Sequence, residues 1–126
     1  MNSFVSAIKK ISISLVFSSV ASLALAYEAT PIRTVSVEDL PKEAQTTLAN
    51  IKKGGPFLYE KDGSVFGNYE RMLPQQKRGY YREYTVKTPR ARNRGARRII
   101  AGGEPKLTDE FYYTEDHYAS FRKIKN

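Results

Sequence analysis

The sequence YYREYTVKTPRARNRGARRII, residues Tyr80 to Ile100, contains two extended segments joined by an arginine-rich connection. The first segment predicts a strand from Tyr80 to Lys87, in which alternation directs Glu83 and Thr85 to one face and the residues between them to the other. The apolar end of the stretch predicts a second strand from Arg97 to Ala101. Proline and glycine between the two strands favour a turn and an antiparallel pair.

Arg97 and Arg98 are neighbours in the second strand, so their side chains point to opposite faces. Only one of them can share a face with Glu83, and alternation alone leaves the choice open. The connection itself is basic, because six basic residues lie from Lys87 to Arg98 and no acidic residue lies between Glu83 and Glu104. Such a cluster favours a polyanionic partner, although positive charge can also serve only to keep a protein soluble.

A helix is predicted upstream of this stretch, from Asp39 to Lys53, because apolar residues recur there at helical spacing. Asp39 is placed to cap the helix and Pro41 suits its first turn. The glycines Gly54 and Gly55 end the pattern.

Three further strands are predicted from runs of aromatic and β-branched residues between turn signals. They are Ser64 to Phe66, Glu110 to Tyr113 and Tyr118 to Lys123. The expected fold class is α+β, with an N-terminal α-helix packed on a small antiparallel β-sheet.

The first 26 residues predict a secretory signal. Lys9 and Lys10 precede an apolar, serine-rich run that ends in Ala24-Leu25-Ala26. The run is shorter than the roughly 20 residues of a membrane-spanning helix. We therefore expect a signal peptide at 1–26, one domain at 27–126, no membrane anchor after cleavage, and a secreted (extracellular) or periplasmic protein.

The composition limits the kinds of active site that this chain can form. The chain has no cysteine, a single histidine (His117) and a formal net charge of +8. Thiolate zinc sites, cysteine nucleophiles and paired-histidine mechanisms are excluded, and the acidic residues form no calcium-loop pattern. We expect neither a metal nor another cofactor.

Glu83, the neighbouring arginines and His117 are sufficient to cleave RNA without a metal, as base, phosphate clamp and acid. From the residues alone, other interpretations stay open. A strand glutamate usually belongs to a solvated face, and a single histidine is more often an exposed or structural side chain.

Several segments resemble the microbial guanyl-specific ribonucleases, the family of barnase and especially of ribonuclease Sa. These segments cover nearly the whole mature chain in the family's order: LPKEA from Leu40, GPFLY from Gly55, DGSVFGNYE from Asp62, GYYREYTVKTP from Gly79, RNRGARRII from Arg92 and YYTEDHYASF from Tyr112. The resemblance implies the microbial ribonuclease fold and a metal-independent endoribonuclease that cleaves single-stranded RNA 3′ of guanosine.

By position, the resemblance implies that Glu83 is the general base and His117 the general acid. Glu83 would take the proton of the ribose 2′-hydroxyl, and His117 would protonate the leaving 5′-oxygen, which gives a 2′,3′-cyclic phosphate that is then hydrolysed. Arg94 and Arg98 match the family's phosphate-binding arginines. The resemblance thus selects Arg98, not Arg97, for the Glu83 face.

The resemblance also implies a guanine site in the loop after Gly63. Main-chain amides and Glu70 would bind the polar edge of the base, and Phe66 and Tyr118 would lie beside its ring. Asn68 matches the family's asparagine, and Tyr69 completes the predicted base-binding set.

Two positions depart from the family. Gly67 stands where ribonuclease Sa has glutamine, and Tyr69 stands where the family commonly has arginine. The loss of that arginine removes a positive charge beside Glu70, so strict and relaxed guanine preference both stay open.

The expected partner is single-stranded RNA, bound by a monomer. A barstar-like acidic protein inhibitor would fit the basic surface. The alternative function is a basic RNA-binding or cytotoxic secreted protein with relaxed or no base specificity.

Overall fold

The computed structural model describes residues 31–125. The predicted signal peptide at 1–26 lies outside the described residues. Between residues 31 and 125, no helix combines the length and the apolar character needed to cross a lipid bilayer.

The predicted helix is present as α1, Lys42–Lys53, and its buried side is formed by Ala44, Leu48 and Ile51. These residues are spaced three or four positions apart, so they lie on one face of the helix. The helix ends at Gly54, which has φ +96° and donates its amide to the last turn. Glycine suits this position because it adopts a left-handed backbone without a Cβ clash.

The predicted capping role of Asp39 is wrong. Asp39 ends a 3-10 turn, Val37–Asp39, and Pro41 is the N-cap residue of α1. Within the described part of the chain, no side chain makes a capping hydrogen bond to this helix. Leu40 is only 4% exposed. Its burial separates the 3-10 turn from the helix and leaves exposed Asp39 two residues before the N-cap position.

A six-stranded sheet has the spatial order β1-β6-β5-β4-β3-β2. Its strands are β1 (Arg33–Ser36), β2 (Ser64–Val65), β3 (Tyr81–Thr85), β4 (Arg98–Gly102), β5 (Phe111–Thr114) and β6 (Arg122–Lys125). Neighbours from β2 to β6 pair antiparallel, as predicted, whereas β1 pairs in parallel with β6. The α+β class is confirmed, with a mixed sheet instead of a purely antiparallel one.

Two features of this sheet differ from the predictions. Strand β1 was not predicted, because Val35 is its single buried residue and a four-residue edge strand shows no clear alternation. The last strand was predicted from Tyr118 but begins at Arg122. Tyr118 instead lies in a turn, with φ +72°.

Each face of the sheet carries an apolar cluster. The cluster on the α1 side includes Leu48, Ile51, Tyr84, Ile99 and Tyr113. The cluster on the opposite face contains Leu73, Tyr81, Ile100, Tyr112 and Phe121, with Phe66 and Tyr118 packed against it. Alternation along β3 sends Tyr84 to the first cluster and Tyr81 to the second. Glu83 therefore lies on the face away from the helix.

Candidate active site

The pairing of β3 with β4 decides which arginine accompanies Glu83. Thr85 lies opposite Arg98, and directly opposed residues of an antiparallel pair point to the same face. Because Thr85 shares a face with Glu83, Arg98 does so too. Arg97 points to the helix side, where its Nη1 lies 3.4 Å from Oε1 of Glu43 in α1. The structure thus brings Arg98 to the predicted base.

Both carboxylate oxygens of Glu83 accept hydrogen bonds. Arg94 Nη2 donates to Oε1 at 3.0 Å, and the Tyr118 hydroxyl donates to Oε2 at 3.0 Å. The Glu83 side chain is 14% exposed. A carboxylate held at both oxygens has a defined direction, which is what a proton acceptor requires.

Arg94 reaches Glu83 from the connection between β3 and β4. Its Nε and Nη2 also donate to Thr85 Oγ1, at 3.1 and 2.9 Å. The connection is compact at Gly95, which has φ +69° and where an added Cβ would lie 2.5 Å from Thr88 Oγ1. Thr85 is thus part of the site although it was not predicted. The signal was present, since Thr85 shares the Glu83 face two residues along the strand.

Arg98 supplies a buried positive charge. Its exposed fraction is 3%, and its Nη1 donates to the Gly95 and Arg97 carbonyls at 3.0 and 2.7 Å. Its Nε is buried and has no acceptor among the residues that the structure describes. The guanidinium is therefore fixed on the face of the sheet that carries Glu83, where its positive charge favours an anionic group.

His117 lies in the turn between β5 and β6. Its main-chain amide donates to the Ala96 carbonyl at 3.0 Å, which fixes this turn to the connection that carries Arg94. The imidazole is exposed, and its ring centroid lies 4.9 Å from that of Tyr118. His117 has φ +54°, an uncommon conformation for a residue other than glycine and one found at functional sites.

Side-chain hydrogen bonds to the backbone shape that turn. Asp116 Oδ1 accepts from the Ser120 amide at 2.9 Å, and Asp116 Oδ2 accepts from the Ser120 hydroxyl at 2.6 Å. Thr114 Oγ1 accepts from the Tyr118 amide at 3.1 Å. The hydrogen bond from the Ser120 side chain is the main cause that lowers the pKa of Asp116. The hydrogen bonds of the turn therefore favour the ionised form of Asp116.

Tyr118 connects the predicted base and the predicted acid. It contacts Glu83 through its hydroxyl and His117 through its ring. Burial, and after it the charge of Glu83, raises the pKa of Tyr118. The hydroxyl is therefore protonated at neutral pH and acts as the donor to Glu83. Sequence analysis placed Tyr118 only beside the base and missed this second contact.

A cavity of about 220 Å³ adjoins Tyr118. Its lining contains all five predicted base-binding residues, together with Met72 and Phe121, which were not predicted: Phe66, Asn68, Tyr69, Glu70, Met72, Tyr118 and Phe121. The Phe66 and Tyr118 rings are 5.0 Å apart between centroids. The loop after β2 and the turn before β6 thus form one aromatic cleft beside Glu83.

Asn68 shapes the loop that bounds this cavity. It has φ +52°, a conformation that asparagine tolerates better than most residues. Its Nδ2 donates to the Leu73 carbonyl at 3.0 Å, and its Oδ1 accepts from the Leu73 amide at 3.1 Å. The Asn68 side chain therefore closes the loop.

The two positions that depart from the family are in direct contact. A Cβ added to Gly67 would lie 2.4 Å from Cε2 of Tyr69. Tyr69 is 81% exposed, and its hydroxyl accepts from Arg78 Nη1 at 3.0 Å. The absence of a side chain at Gly67 thus allows the Tyr69 ring to occupy its place. This coupling was not visible in the sequence.

In the segment from residue 31 to residue 125, no group of three or more histidine, cysteine, aspartate or glutamate side chains is arranged to hold a metal ion.

Residues 25–125 match the Ribonuclease family. Guanyl-specific ribonuclease Sa of Kitasatospora aureofaciens is 56% identical over 91 residues, which cover 72% of this chain and 92% of the relative. Guanyl-specific ribonuclease St of Saccharopolyspora erythraea is 53% identical over 88 residues, which cover 70% of this chain and 83% of the relative. The crystal structure of ribonuclease Sa2 with guanosine-2′-cyclophosphate superimposes with a TM-score of 0.69 at 45% identity, over 75% of this chain and 97% of that one.

Proposed function

This chain belongs to the guanyl-specific ribonucleases, and on that premise we propose that Glu83 and His117 are the general base and general acid of its reaction. The chain is a cyclising endoribonuclease that cleaves RNA on the 3′ side of guanosine. The observation that carries the residue assignment is the Glu83 carboxylate, held between Arg94 and the Tyr118 hydroxyl beside the aromatic cleft.

In the first step, Glu83 accepts the proton of the guanosine 2′-hydroxyl. The 2′-oxygen attacks the adjacent phosphorus while the bond from phosphorus to the 5′-oxygen breaks, and His117 gives its proton to that leaving oxygen. The products are a 2′,3′-cyclic phosphate and a free 5′-hydroxyl. In the second step the roles reverse: His117 takes a proton from water, whose oxygen attacks phosphorus, and Glu83 gives its proton to the 2′-oxygen as the bond from phosphorus to that oxygen breaks. The product is a 3′-phosphate.

Arg94 and Arg98 stabilise the charge that develops on the phosphoryl oxygens. Arg94 donates to Glu83 and Thr85 from a connection that borders the site, and Arg98 is held beneath it by main-chain carbonyls. Held donors of this kind stabilise a transition state without first having to reorganise. A planar guanidinium also matches two phosphate oxygens at once, which a lysine cannot do.

Guanine binds in the cavity next to Tyr118. Glu70 accepts from the N1 and N2 donors of the base together with main-chain amides of the loop, and Phe66 and Tyr118 pack against its ring. Each such stacking contact is worth about 1–3 kcal/mol. Tyr69 lines the same cavity, so an aromatic ring takes the place of the family's common arginine. Asn68 holds the loop closed through its two hydrogen bonds to Leu73.

The test is cleavage of the dinucleotides GpU, ApU and CpU in EDTA. We expect rapid turnover of GpU to a cyclic phosphate, and a loss of about 10²–10⁴-fold in Glu83→Gln and in His117→Ala. Near wild-type turnover in either variant would contradict the assignment. Equal cleavage of all three dinucleotides would be consistent with the proposed mechanism but would contradict the proposed guanine site.

We also propose that the protein is exported as a monomer. A signal peptide at 1–26 would be removed to leave 27–126, in the periplasm or outside the cell. Mass spectrometry of the protein recovered from each compartment would test the cleavage point and the location. A retained leader would contradict this proposal.

The basic site suits a small acidic inhibitor of the barstar type, since opposite charges steer such partners together. We therefore propose that the producing cell makes one. Inhibition that weakens steeply as salt is added would support this partner, whereas full activity in an extract of the producing cell would argue against it.

A further inference from the structure

A second cavity, of about 360 Å³, lies on the other side of the base-binding loop. Its polar lining includes three cations and two glutamine carboxamides: Arg71, Gln75, Gln76, Lys77 and Arg78. None of the residues that line it, all within the described part of the chain, is acidic. We call it the outer cavity. A site with three cations and no carboxylate favours an anion, and the carboxamides add both donors and acceptors.

The outer cavity adjoins the guanine cavity. The two share Phe66, Asn68 and Tyr69, whereas the guanine cavity meets the catalytic groups at Tyr118. None of the catalytic groups lines the outer cavity. The guanine cavity therefore lies between the catalytic groups on one side and the outer cavity on the other.

The direction of the RNA chain indicates which part of the substrate lies in the outer cavity. In the proposed reaction, the phosphate on the 3′ side of guanosine lies at Glu83, so the chain on the 5′ side leaves in another direction. We propose that the outer cavity binds the nucleotide on the 5′ side of the guanosine, a conclusion that rests on the proposed position of guanine. Arg71 and Lys77 bind the phosphate between the two nucleosides, and the carboxamides face the upstream base.

Tyr69 is the wall between the two nucleotides. Tyr69 lines both cavities. Its ring can lie over Gly67 because that residue lacks a side chain, and its hydroxyl accepts a hydrogen bond from Arg78. An aromatic ring that is 81% exposed gains little from the protein's own packing. In the proposed complex the ring stacks between the guanine and the upstream base, since every base has a π-face.

The experiment compares substrates that differ only in their ends: GpU, pGpU, UpGpU and GpUpU, each cleaved in EDTA. We expect the kcat/KM of UpGpU to exceed that of GpU by roughly tenfold, chiefly through a lower KM, as expected for one charge-assisted phosphate contact. A rise already present in pGpU locates the gain in the phosphate, and a rise only in UpGpU locates it in the base. Both results support the outer cavity as the site.

The diagnostic variant is the double substitution Arg71→Gln with Lys77→Gln. Its charge-matched control is Lys53→Gln with Lys125→Gln, at two exposed lysines that line neither cavity. In the diagnostic variant, the advantage of UpGpU over GpU should shrink to about twofold or less, while GpU turnover stays near wild type. The control variant should keep the full advantage. The salt dependence gives a second readout. The slope of log(kcat/KM) against log salt should be steeper for UpGpU than for GpU by about 0.7, which is the value for one phosphate on a single strand. This difference in slope should vanish in the diagnostic variant.

Three outcomes would overturn the proposal: equal kcat/KM for GpU and UpGpU in the wild type, an equal loss on both substrates in the diagnostic variant, or a loss on GpUpU that matches the loss on UpGpU. In each of these failures the wild type still cleaves GpU. They are therefore distinct from failure of the proposed function, in which the wild type would not cleave GpU and both proposals would fall.

Discussion

At the scale of single residues, the site depends on side chains that each serve two neighbours. Arg94 binds Glu83 and Thr85, and Tyr118 contacts Glu83 and His117. Shared contacts of this kind restrict the rotamers of Glu83 and Arg94, so the proposed base is oriented before substrate binds.

The Tyr118 hydroxyl can be removed without removing the ring. In Tyr118→Phe, Oε2 of Glu83 loses a donor at 3.0 Å, while the ring that lines the guanine cavity remains. We expect kcat for GpU to fall by about tenfold or more, the size of one hydrogen bond to a charged group, with KM changed by less than about threefold.

The matched control for that variant is Tyr112→Phe, which deletes another tyrosine hydroxyl bonded to a carboxylate, that of Glu110, at 2.7 Å. It should lower the free energy of unfolding and leave kcat unchanged. If the two variants have the same kcat, the Tyr118 hydroxyl does not position the base.

The contact between Gly67 and Tyr69 gives a second prediction at this scale. In Gly67→Ala, the new Cβ would overlap the Tyr69 ring, and the exposed ring must swing away. Because only a surface side chain moves, the free energy of unfolding should change by less than about 1 kcal/mol. The KM for GpU should rise by roughly five- to tenfold as the cavity loses its aromatic wall.

A double-mutant cycle checks the cause of that rise. In a Tyr69→Ala background, Gly67→Ala should have almost no further effect on KM, because the ring it displaces is already gone. Additive effects of the two substitutions would contradict the coupling.

Among the elements and their connections, the turn that joins β5 to β6 has the largest effect on the proposed active site. Sequence analysis extended the last strand back to Tyr118, because an aromatic and apolar run resembles a strand. The side chains of Thr114 and Asp116 instead bond to nearby main-chain amides, and such bonds compete with a sheet ladder. The turn they create carries His117, and the residues wrongly assigned to the strand follow directly after this predicted acid.

The same turn predicts a pH dependence. Hydrogen bonds from Ser120 lower the pKa of Asp116, so the folded protein binds this proton less readily than the unfolded chain does. The contribution of Asp116 to stability is therefore complete above the ordinary carboxyl pKa of about 3.9, and it is lost as the pH falls through the lower folded value.

This dependence can be measured as the free energy of unfolding in urea between about pH 5 and about pH 2.5. The difference between the wild type and Asp116→Asn should be largest at the upper end and shrink toward the lower end. Asp109→Asn, at an exposed carboxylate, serves as control and should show no such convergence. A constant difference for Asp116→Asn would show that its charge does not stabilise the turn.

At the scale of the whole molecule, the dominant property is positive charge, with a formal net charge of +8 over 126 residues. Binding of a polyanion releases counterions, so affinity falls as salt is added, with a log–log slope of about −0.7 for each phosphate neutralised on a single strand. Part of this charge lies on the face of the sheet opposite α1, where Arg94 bonds Glu83 and Arg98 lies on the same face.

The kcat/KM for a long single-stranded RNA should therefore fall much more steeply with salt than the kcat/KM for GpU, which has one phosphate. Single-stranded DNA of the same sequence should bind with a similar salt dependence and remain uncut, because it lacks the 2′-hydroxyl nucleophile. Equal slopes for the long RNA and GpU would mean that the basic surface outside the site does not contact the substrate.

The α-helix, the strands β3 and β4 and the residue types of the site could be predicted from the amino-acid sequence. Those features follow from short-range rules, the repeat of a helix and the alternation of a strand, which act between near neighbours in the chain. Three other features were visible only in the folded molecule: β1 joins β6, Tyr118 bonds Glu83, and Gly67 makes room for Tyr69. The reason is that β-sheet pairing and side-chain contact depend on packing in three dimensions. A residue such as Tyr118 can meet Glu83 across 35 positions only after the sheet has formed.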